Sequence, residues 1–320
     1  AAPGTTGTGA GGEPTPVTFL NVLPIESLTF TPEIIAKAAG LFEREGLDVQ
    51  FQVTRGSAQA IQTVIAGGGL LTRVGDSEMM VATGERSAPI KVVAQPSQVS
   101  TLRMVSLADD PINGPADLRG RTIGIPSEGG TSETLVDMLS ATGGLAETDV
   151  TKQVVGVAPG VFDLVRQGRI DGYVVSMDTA RVLQGQNPDV VVLDPSQSIA
   201  SGTQVYITSQ AAVDDPTQRD VVQRYLRAVR DAQQMVIDDT ELDKTLEMLG
   251  SQYDIQILDD PELAKATLRD YTASWQANGS LMQVAPDKWG QVYQESVSVG
   301  LVSAGLDPAG WFTNDLLGQG

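Results

Sequence analysis

The 320-residue chain has no cysteine and no histidine. Without cysteine there is no disulfide, no thiol nucleophile and no thiolate metal site. Without histidine the usual general base near neutral pH and the commonest metal ligand are gone. An enzyme on this chain would have to work with carboxylates, lysine, serine or tyrosine. Basic residues are also scarce, 21 Lys and Arg against 40 Asp and Glu, so the net charge is -19. That balance argues against nucleic acid and against an anionic membrane surface as partners. No apolar run approaches the ~20 residues of a membrane span. Oxygen-only sites for Ca²⁺ or Mg²⁺ need a dense Asp/Asn loop, and none of the EF-hand kind occurs. The expectation is therefore no metal, no cofactor and no turnover.

What is present is a repeated strand–turn–helix pattern, on a length sufficient for two cores. It is clearest in TIGIPSEGGTSETLVDML, residues 122–139. Ile123 and Ile125 are β-branched and bounded by turn residues, which favours a short strand. Gly129 and Gly130 free the backbone for a turn. Thr131 or Ser132 caps the helix that follows, and Leu135, Met138 and Leu139 recur at helical spacing. Such a helix start can hold an anionic or electron-rich group, or it is an ordinary capped helix.

The same reading places strands at residues 17–22, 47–53, 70–74, 90–94, 154–157, 172–176, 190–193 and 204–208. Helices stand between them, one of them opened by Thr31 as cap with Pro32 behind it. Beyond residue 213 the pattern is helical. Strands alternating with helices imply largely parallel α/β sheets. Residues 1–16 are small, polar and rich in Gly, Thr and Pro. They read as a flexible tether, from a processed end or lost lipid anchor upstream, or as a cloning scar or plain tail.

Four stretches resemble the substrate-binding proteins of ABC importers, in the branch serving nitrate, sulfonates, taurine and thiamine precursors. AKAAGLFEREGLDV at 36–49 is similar to that family's G-x-F-x-x-x-G-L-x-V helix-to-strand signature. GDSE at 75–78 resembles its V-G-D/S-S turn. INGPADLRGRTIGI at 112–125 resembles I-x-x-P-A-D-L-K-G-K-x-I-G-V, and VRQGRIDG at 165–172 resembles L-x-x-G-x-V-D-A. The matches keep their order over most of residues 17–210. One departure stands before the 75–78 turn: GGLLTR at 68–73 replaces the family's G-E-V-D-F, with Leu71 where its Asp would fall.

The resemblance implies an α/β, two-lobe periplasmic-binding-protein-like fold with a two-strand hinge and a helical C-terminal region. Residues 17–104 and 200–320 would form one lobe and 105–199 the other. The hinge crossings are expected at 103–107 and 204–208. It further implies a monomer outside the cytoplasm, secreted or lipid-anchored, that hands a small molecule to an importer's permease and ATPase.

In open α/β sheets ligands sit beyond the carboxyl ends of the strands. That rule selects Glu26, Ser27, Phe30 and Thr31 after the first strand, Ser57 after the second, and Asp76 and Ser77 after the third. It adds Ser97 and Gln98 near the hinge, Gly130, Thr131 and Ser132 at the central turn, and Ser176 and Asp178 in the second lobe. Each has a structural alternative. Asp76, Ser77, Thr131 and Ser132 are ligand contacts or helix caps, Phe30 stacks on a ring or fills the core, and Asp178 pairs with an amine or is solvated. Among these loops only Arg55 is basic, while Glu26, Asp76, Glu128 and Asp178 are acidic. That disfavours a bare dianion and favours a ligand with N–H donors or a positive group, such as an aminosulfonate or an aminopyrimidine. Two other classes stay open: an enzyme of thiamine or menaquinone precursor metabolism on the same fold, and a ligand-sensing module for a receptor.

Overall fold

The computed structural model describes residues 12–156 and 158–318. The strands are β1 (Thr15–Asn21), β2 (Leu47–Val53), β3 (Leu71–Gly75), β4 (Ile90–Ala94), β5 (Leu102–Leu107), β6 (Thr122–Ile125), β7 (Thr151–Val154), β8 (Gly172–Ser176), β9 (Val190–Leu193) and β10 (Gln204–Ser209). The α-helices are α1 (Thr31–Ala38), α2 (Leu41–Arg44), α3 (Ser57–Ile65), α4 (Asp76–Arg86), α5 (Thr131–Thr142), α6 (Phe162–Arg166), α7 (Met177–Gln186), α8 (Gln210–Asp214), α9 (Pro216–Asp238), α10 (Asp243–Gln252), α11 (Pro261–Gln276) and α12 (Pro286–Ser298).

The strands form two five-stranded sheets, ordered β2-β1-β3-β10-β4 and β7-β6-β8-β5-β9. In the first, β1 runs parallel to β2 and β3, and β10 is antiparallel to β3 and β4. In the second, β6 runs parallel to β7 and β8, and β5 is antiparallel to β8 and β9. Helices pack on both faces of each sheet, as largely parallel sheets require. On one face of the first sheet Phe19 meets Tyr225 of α9 and Ile34 and Ile35 of α1; on the other Val74, Met79 and Val205 meet Trp289 and Tyr293 of α12. Ile123, Leu135 and Val174 fill one side of the second sheet; Val105, Phe162 and Leu183 fill the other.

Local chemistry explains the long α9. Asp215 accepts a hydrogen bond from the Thr217 N–H and Pro216 stands in the first turn, a strong start. Its buried Val222, Tyr225, Leu226 and Val229 then keep helical spacing.

Several expectations are corrected. Thr15 and Pro16, read as the end of the tether, begin β1; the rest of that reading falls on residues 1–14, of which 1–11 lie outside the described residues. The strand expected at 154–157 is β7 at 151–154. Its Thr151, Gln153 and Val154 are exposed, and an edge strand of this kind carries no apolar alternation to mark it. Thr31 is not a cap: Phe30 holds that position and the Thr31 hydroxyl donates to the Leu28 carbonyl at 2.7 Å. Neither Thr131 nor Ser132 caps α5, whose N-cap is Gly130 without a side-chain bond. The segments at 103–107 and 204–208 lie within β5 and β10 rather than between the sheets. Their apolar pattern reflects burial of Met104, Val105, Val205, Tyr206 and Ile207 inside the sheets. The chain passes between sheets at 95–101 and 194–203.

Candidate functional site

The carboxyl ends of the parallel strands in the two sheets face each other. Thr131, at the start of α5 beyond β6, donates to Glu78 Oε1 of α4, beyond β3, at 2.7 Å. A Cβ at Gly75 would lie 2.6 Å from the Thr131 hydroxyl, so this approach requires glycine there. Farther along, Tyr271 of α11 donates to Asp178 Oδ1 of α7 at 2.6 Å. Arg181 of α7 forks onto Asp270 of α11 at 2.7 and 2.9 Å. The cleft is thus spanned by side chains from both lobes.

On the first-sheet side the floor is built around Arg73, buried in β3. Its Nη1 donates to Glu33 Oε1 at 3.0 Å and to the Thr29 carbonyl at 3.1 Å, and its Nε donates to Gln204 Oε1 at 2.7 Å. The guanidinium lies 5.2 Å from the Phe30 ring centre and 5.9 Å from that of Tyr206. The Tyr206 hydroxyl also donates to Glu33. Burial works against the charge of Arg73, but Glu33 together with the Tyr206 and Tyr271 hydroxyls more than offsets that, so its pKa stays raised. Burial likewise pushes the Tyr206 and Tyr271 hydroxyls well up, so both remain donors. Beside Arg73 in strand register is Asn21, which ends β1 at the cleft. It is 1% exposed, and neither atom of its amide has a hydrogen-bond partner among the described residues.

Asp76 and Ser77 open α4 at the cleft, yet their polar groups are held by the chain. The Asp76 carboxylate accepts from the Ser77 N–H at 2.7 Å, the Gly202 N–H at 3.4 Å, and the Thr203 N–H and hydroxyl at 3.3 and 3.1 Å. Burial raises its pKa to about 6 against those donors. Asp76 therefore fastens the second crossing to the first sheet. Ser97 and Gln98 do the equivalent for the first crossing. The Ser274 hydroxyl donates to Ser97 at 3.3 Å. Gln98 donates to the carbonyls of Gln95 and Gln283 at 3.0 and 2.9 Å and accepts from Asn278 at 2.8 Å.

The other expected residues divide. Phe30 is buried against Arg73, Ser27 is half-buried and accepts from the Thr29 N–H at 3.2 Å, and Glu26 is exposed on the rim. Thr31 is buried; Ser57 begins α3 behind Gly56 on the β2 side. Gly130, Thr131 and Ser132 lie across the cleft from Gly75 and Glu78. Ser176 caps α7 by accepting from Thr179 at 3.3 Å. Burial raises the pKa of Asp178, opposed by bonds from the Tyr271 hydroxyl and the Leu28 N–H. Sequence reasoning missed Asn21, Glu33, Arg73, Tyr206 and Tyr271. The departure from the family pattern at 68–73 was the signal for Arg73. Asn21, a polar residue directly after the apolar pair Phe19 and Leu20 at the end of β1, was the signal for the floor. Among the described residues no cluster of acidic side chains is arranged to hold a metal ion, and no helix is long and apolar enough to cross a membrane.

A profile of the NMT1/THI5-like family matches residues 27–241. The riboflavin-binding protein RibY of Chloroflexus aurantiacus is 26% identical over 310 residues, covering 92% of this chain and 84% of that protein. Among solved structures, the periplasmic aliphatic sulphonate-binding protein SsuA of Escherichia coli superposes with a TM-score of 0.70 at 16% identity, over 96% of this chain and 100% of that one. The periplasmic nitrate-binding protein NrtA of Synechocystis PCC 6803 gives 0.63 at 15% identity, over 95% and 87%. The desulfurization enzyme DSZB gives 0.60 at 14%, over 95% and 97%. At these identities the structural likenesses establish the fold, that of periplasmic binding proteins, which binding proteins and an enzyme both use.

Proposed function

The chain belongs to the NMT1/THI5-like family, and on that footing we propose that it is an extracytoplasmic solute-binding protein of an ABC importer. It captures a small polar organic molecule between its two lobes and presents the closed form to the importer's permease. Sulfonates, aminosulfonates and aminopyrimidines are the candidate classes. The observation that carries this reading is the set of side-chain bonds between the two carboxyl-end rims, Thr131 to Glu78 and Tyr271 to Asp178. Groups that reach across a cleft from two separately packed cores are placed to enclose a solute by hinge closure. Family membership and the binding-protein neighbours support the same reading.

The test is a thermal-shift screen of the purified chain against sulfonates, pyrimidines, flavins, amino acids and aromatic acids. A solute at 100 times its Kd adds about 2.7 kcal/mol to stability, a readily visible shift. A hit should also reduce the radius of gyration in small-angle scattering and be recovered chemically unchanged. Stabilisation without compaction would refute capture by closure, and recovery of a converted product would turn the assignment to an enzyme.

A further inference from the structure

We infer that Asn113 is a site of spontaneous deamidation, and that its conversion to isoaspartate is an ageing lesion that loosens the second lobe. The sequence holds two Asn-Gly pairs, Asn113-Gly114 and Asn278-Gly279. The structure treats them in opposite ways.

The reaction needs a free side-chain amide and a free backbone nitrogen. The Gly114 nitrogen, its proton lost to hydroxide, attacks the side-chain carbonyl carbon of Asn113. The new C–N bond closes a succinimide ring, and the side-chain nitrogen takes up a proton from water and leaves as ammonia. Water then adds to either ring carbonyl and opens the ring. One opening leaves aspartate; the other leaves isoaspartate, whose main chain runs through the former side-chain carbon. The net change is gain of a water and loss of an ammonia. Glycine favours the closure because it has no Cβ to obstruct it, and asparagine is thermolabile for this reason.

Both asparagines are exposed, so exposure does not separate them. Their bonds do. Among the described residues neither the Asn113 side-chain amide nor the Gly114 N–H takes a hydrogen bond; the bond at Asn113 runs from its backbone N–H to Asp117 Oδ2 at 2.9 Å. Gly114 is extended, at φ -168° and ψ 173°, with open space where a Cβ would stand. At the second pair both reacting groups are held. The Asn278 amide donates to Gln98 Oε1 at 2.8 Å, and the Gly279 N–H donates to the Gln276 carbonyl at 2.9 Å. Ring closure there must wait for these bonds to open, which slows it by about tenfold or more.

The surroundings of Asn113 leave no slack for a longer main chain. On one side Ile112 is buried in the second-sheet core, and its N–H donates to the Ser106 hydroxyl at 2.9 Å. On the other, Gly143 just past α5 packs on Pro115, where a Cβ would lie 2.7 Å from the Pro115 carbonyl carbon. Asn113 and Gly114 bridge these two fixed points. Isoaspartate lengthens the bridge, and either product sets a second carboxylate near Asp117. The segment precedes β6, away from the carboxyl ends that form the cleft, so the lesion acts on the packing of the lobe.

The test is incubation of the purified full chain at mildly alkaline pH, well below its unfolding temperature, followed by digestion and peptide mass spectrometry. The peptide carrying position 113 should gain the mass of amide-to-acid conversion and resolve into aspartate and isoaspartate forms. The peptide carrying position 278 should convert at least about tenfold more slowly. In guanidinium, with the chain unfolded, the two should convert at similar rates. Gly114→Ala sits in open space at a backbone angle any residue adopts; it should fold and slow conversion at 113 by about tenfold or more. The isoaspartate-bearing fraction, separated by anion exchange, should have a lower thermal midpoint than fresh protein. Asn113→Asp, which adds the charge without the extra main-chain atom, should show a smaller drop. Equal rates at 113 and 278 in the folded chain, faster conversion at 278, or undiminished conversion in Gly114→Ala overturns the site. An unchanged midpoint of the isoaspartate fraction, or a drop that Asn113→Asp matches, overturns the lesion.

Discussion

Replacing Asp76 by asparagine should remove a pH dependence from the stability of the protein. Asp76 is 1% exposed, and its carboxylate gathers five bonds from Ser77, Gly202 and Thr203. Burial nevertheless raises its pKa from 3.8 to about 6. A folded pKa above the unfolded one means that the native state holds the proton more tightly. The contribution of the protonated group is then fully present below the unfolded value and is lost as pH rises through the folded value. Between the two limits stability falls with rising pH, the reverse of the ordinary salt-bridged carboxylate. The displacement corresponds to about 3 kcal/mol, as an order of magnitude. The Asp76→Asn variant keeps the volume and one carbonyl acceptor but does not titrate at this position. Urea unfolding of both proteins from about pH 4 to about pH 8 gives the difference in unfolding free energy, in which every other titrating group cancels. Wild type minus variant should drop by about 2 to 3 kcal/mol between about pH 4 and about pH 7 and then level off. A difference that is flat, or that rises with pH, would refute the assignment of Asp76 as a desolvated carboxylate.

Arg73→Met strands Glu33 as an unpaired buried charge and should cost about 3 to 5 kcal/mol in chemical unfolding, whereas Arg73→Met combined with Glu33→Gln should recover most of the loss. Gly75→Ala places a methyl 2.6 Å from the Thr131 hydroxyl; it should leave the unfolding midpoint nearly unchanged and enlarge the radius of gyration seen in scattering with saturating solute. Thr131→Ala removes the bond to the Glu78 carboxylate and should weaken solute binding by about 1.5 to 3 kcal/mol in calorimetry. Arg181→Gln should change stability by less than about 1 kcal/mol and lose even that in high salt, because Arg181 and Asp270 are 39% and 30% exposed.

The architecture is legible in the sequence because periodicity reports burial. The alternation of residues 47–51, the isoleucines at 123 and 125 and the spacing along α9 each mark one inward face, and the structure buries those faces, while Val53 at the end of β2 stays exposed. Polar residues carry no such signal. Arg73 sits in a strand whose five residues are all buried, and nothing local announces that its partners are Glu33, Thr29 and Gln204. The turn at Asp76 marks it as a cleft residue, but its partners in the second crossing stand 126 and 127 positions along the chain. Such pairings are set by topology, so a single sequence places the carboxylate without saying what it holds. The crossings are hidden for the converse reason. They are short polar stretches without periodicity, and the apolar strands beside them carry the stronger pattern.

The distribution of bonds along the two crossings locates where the lobes are least tied. In the first, Gln95, Ser97 and Gln98 are bonded to Thr203, Ser274, Asn278 and Gln283, all packed with the first sheet. Ser100 instead accepts from the Leu102 N–H at the start of β5, and the Thr101 carbonyl accepts from Met177. Only Val99 lies between the two sets. In the second, Asp194 is paired with Arg103 of β5 and Ile199 is buried in the second-sheet core. From the next residue the attachment changes sides. Glu295 of α12 accepts from the Ala200 and Ser201 N–H groups, and Asp76 accepts from Gly202 and Thr203. Gly202, at φ +99°, passes so near Ser100 that a Cβ would lie 2.9 Å from its hydroxyl. The two crossings thus touch each other, and each changes allegiance within one or two residues. Closure of the cleft then needs changes at only a few torsions, around Val99 and the Ile199–Ala200 junction, while the carboxylates of Asp76 and Glu295 keep the rest of the second crossing attached to the first lobe.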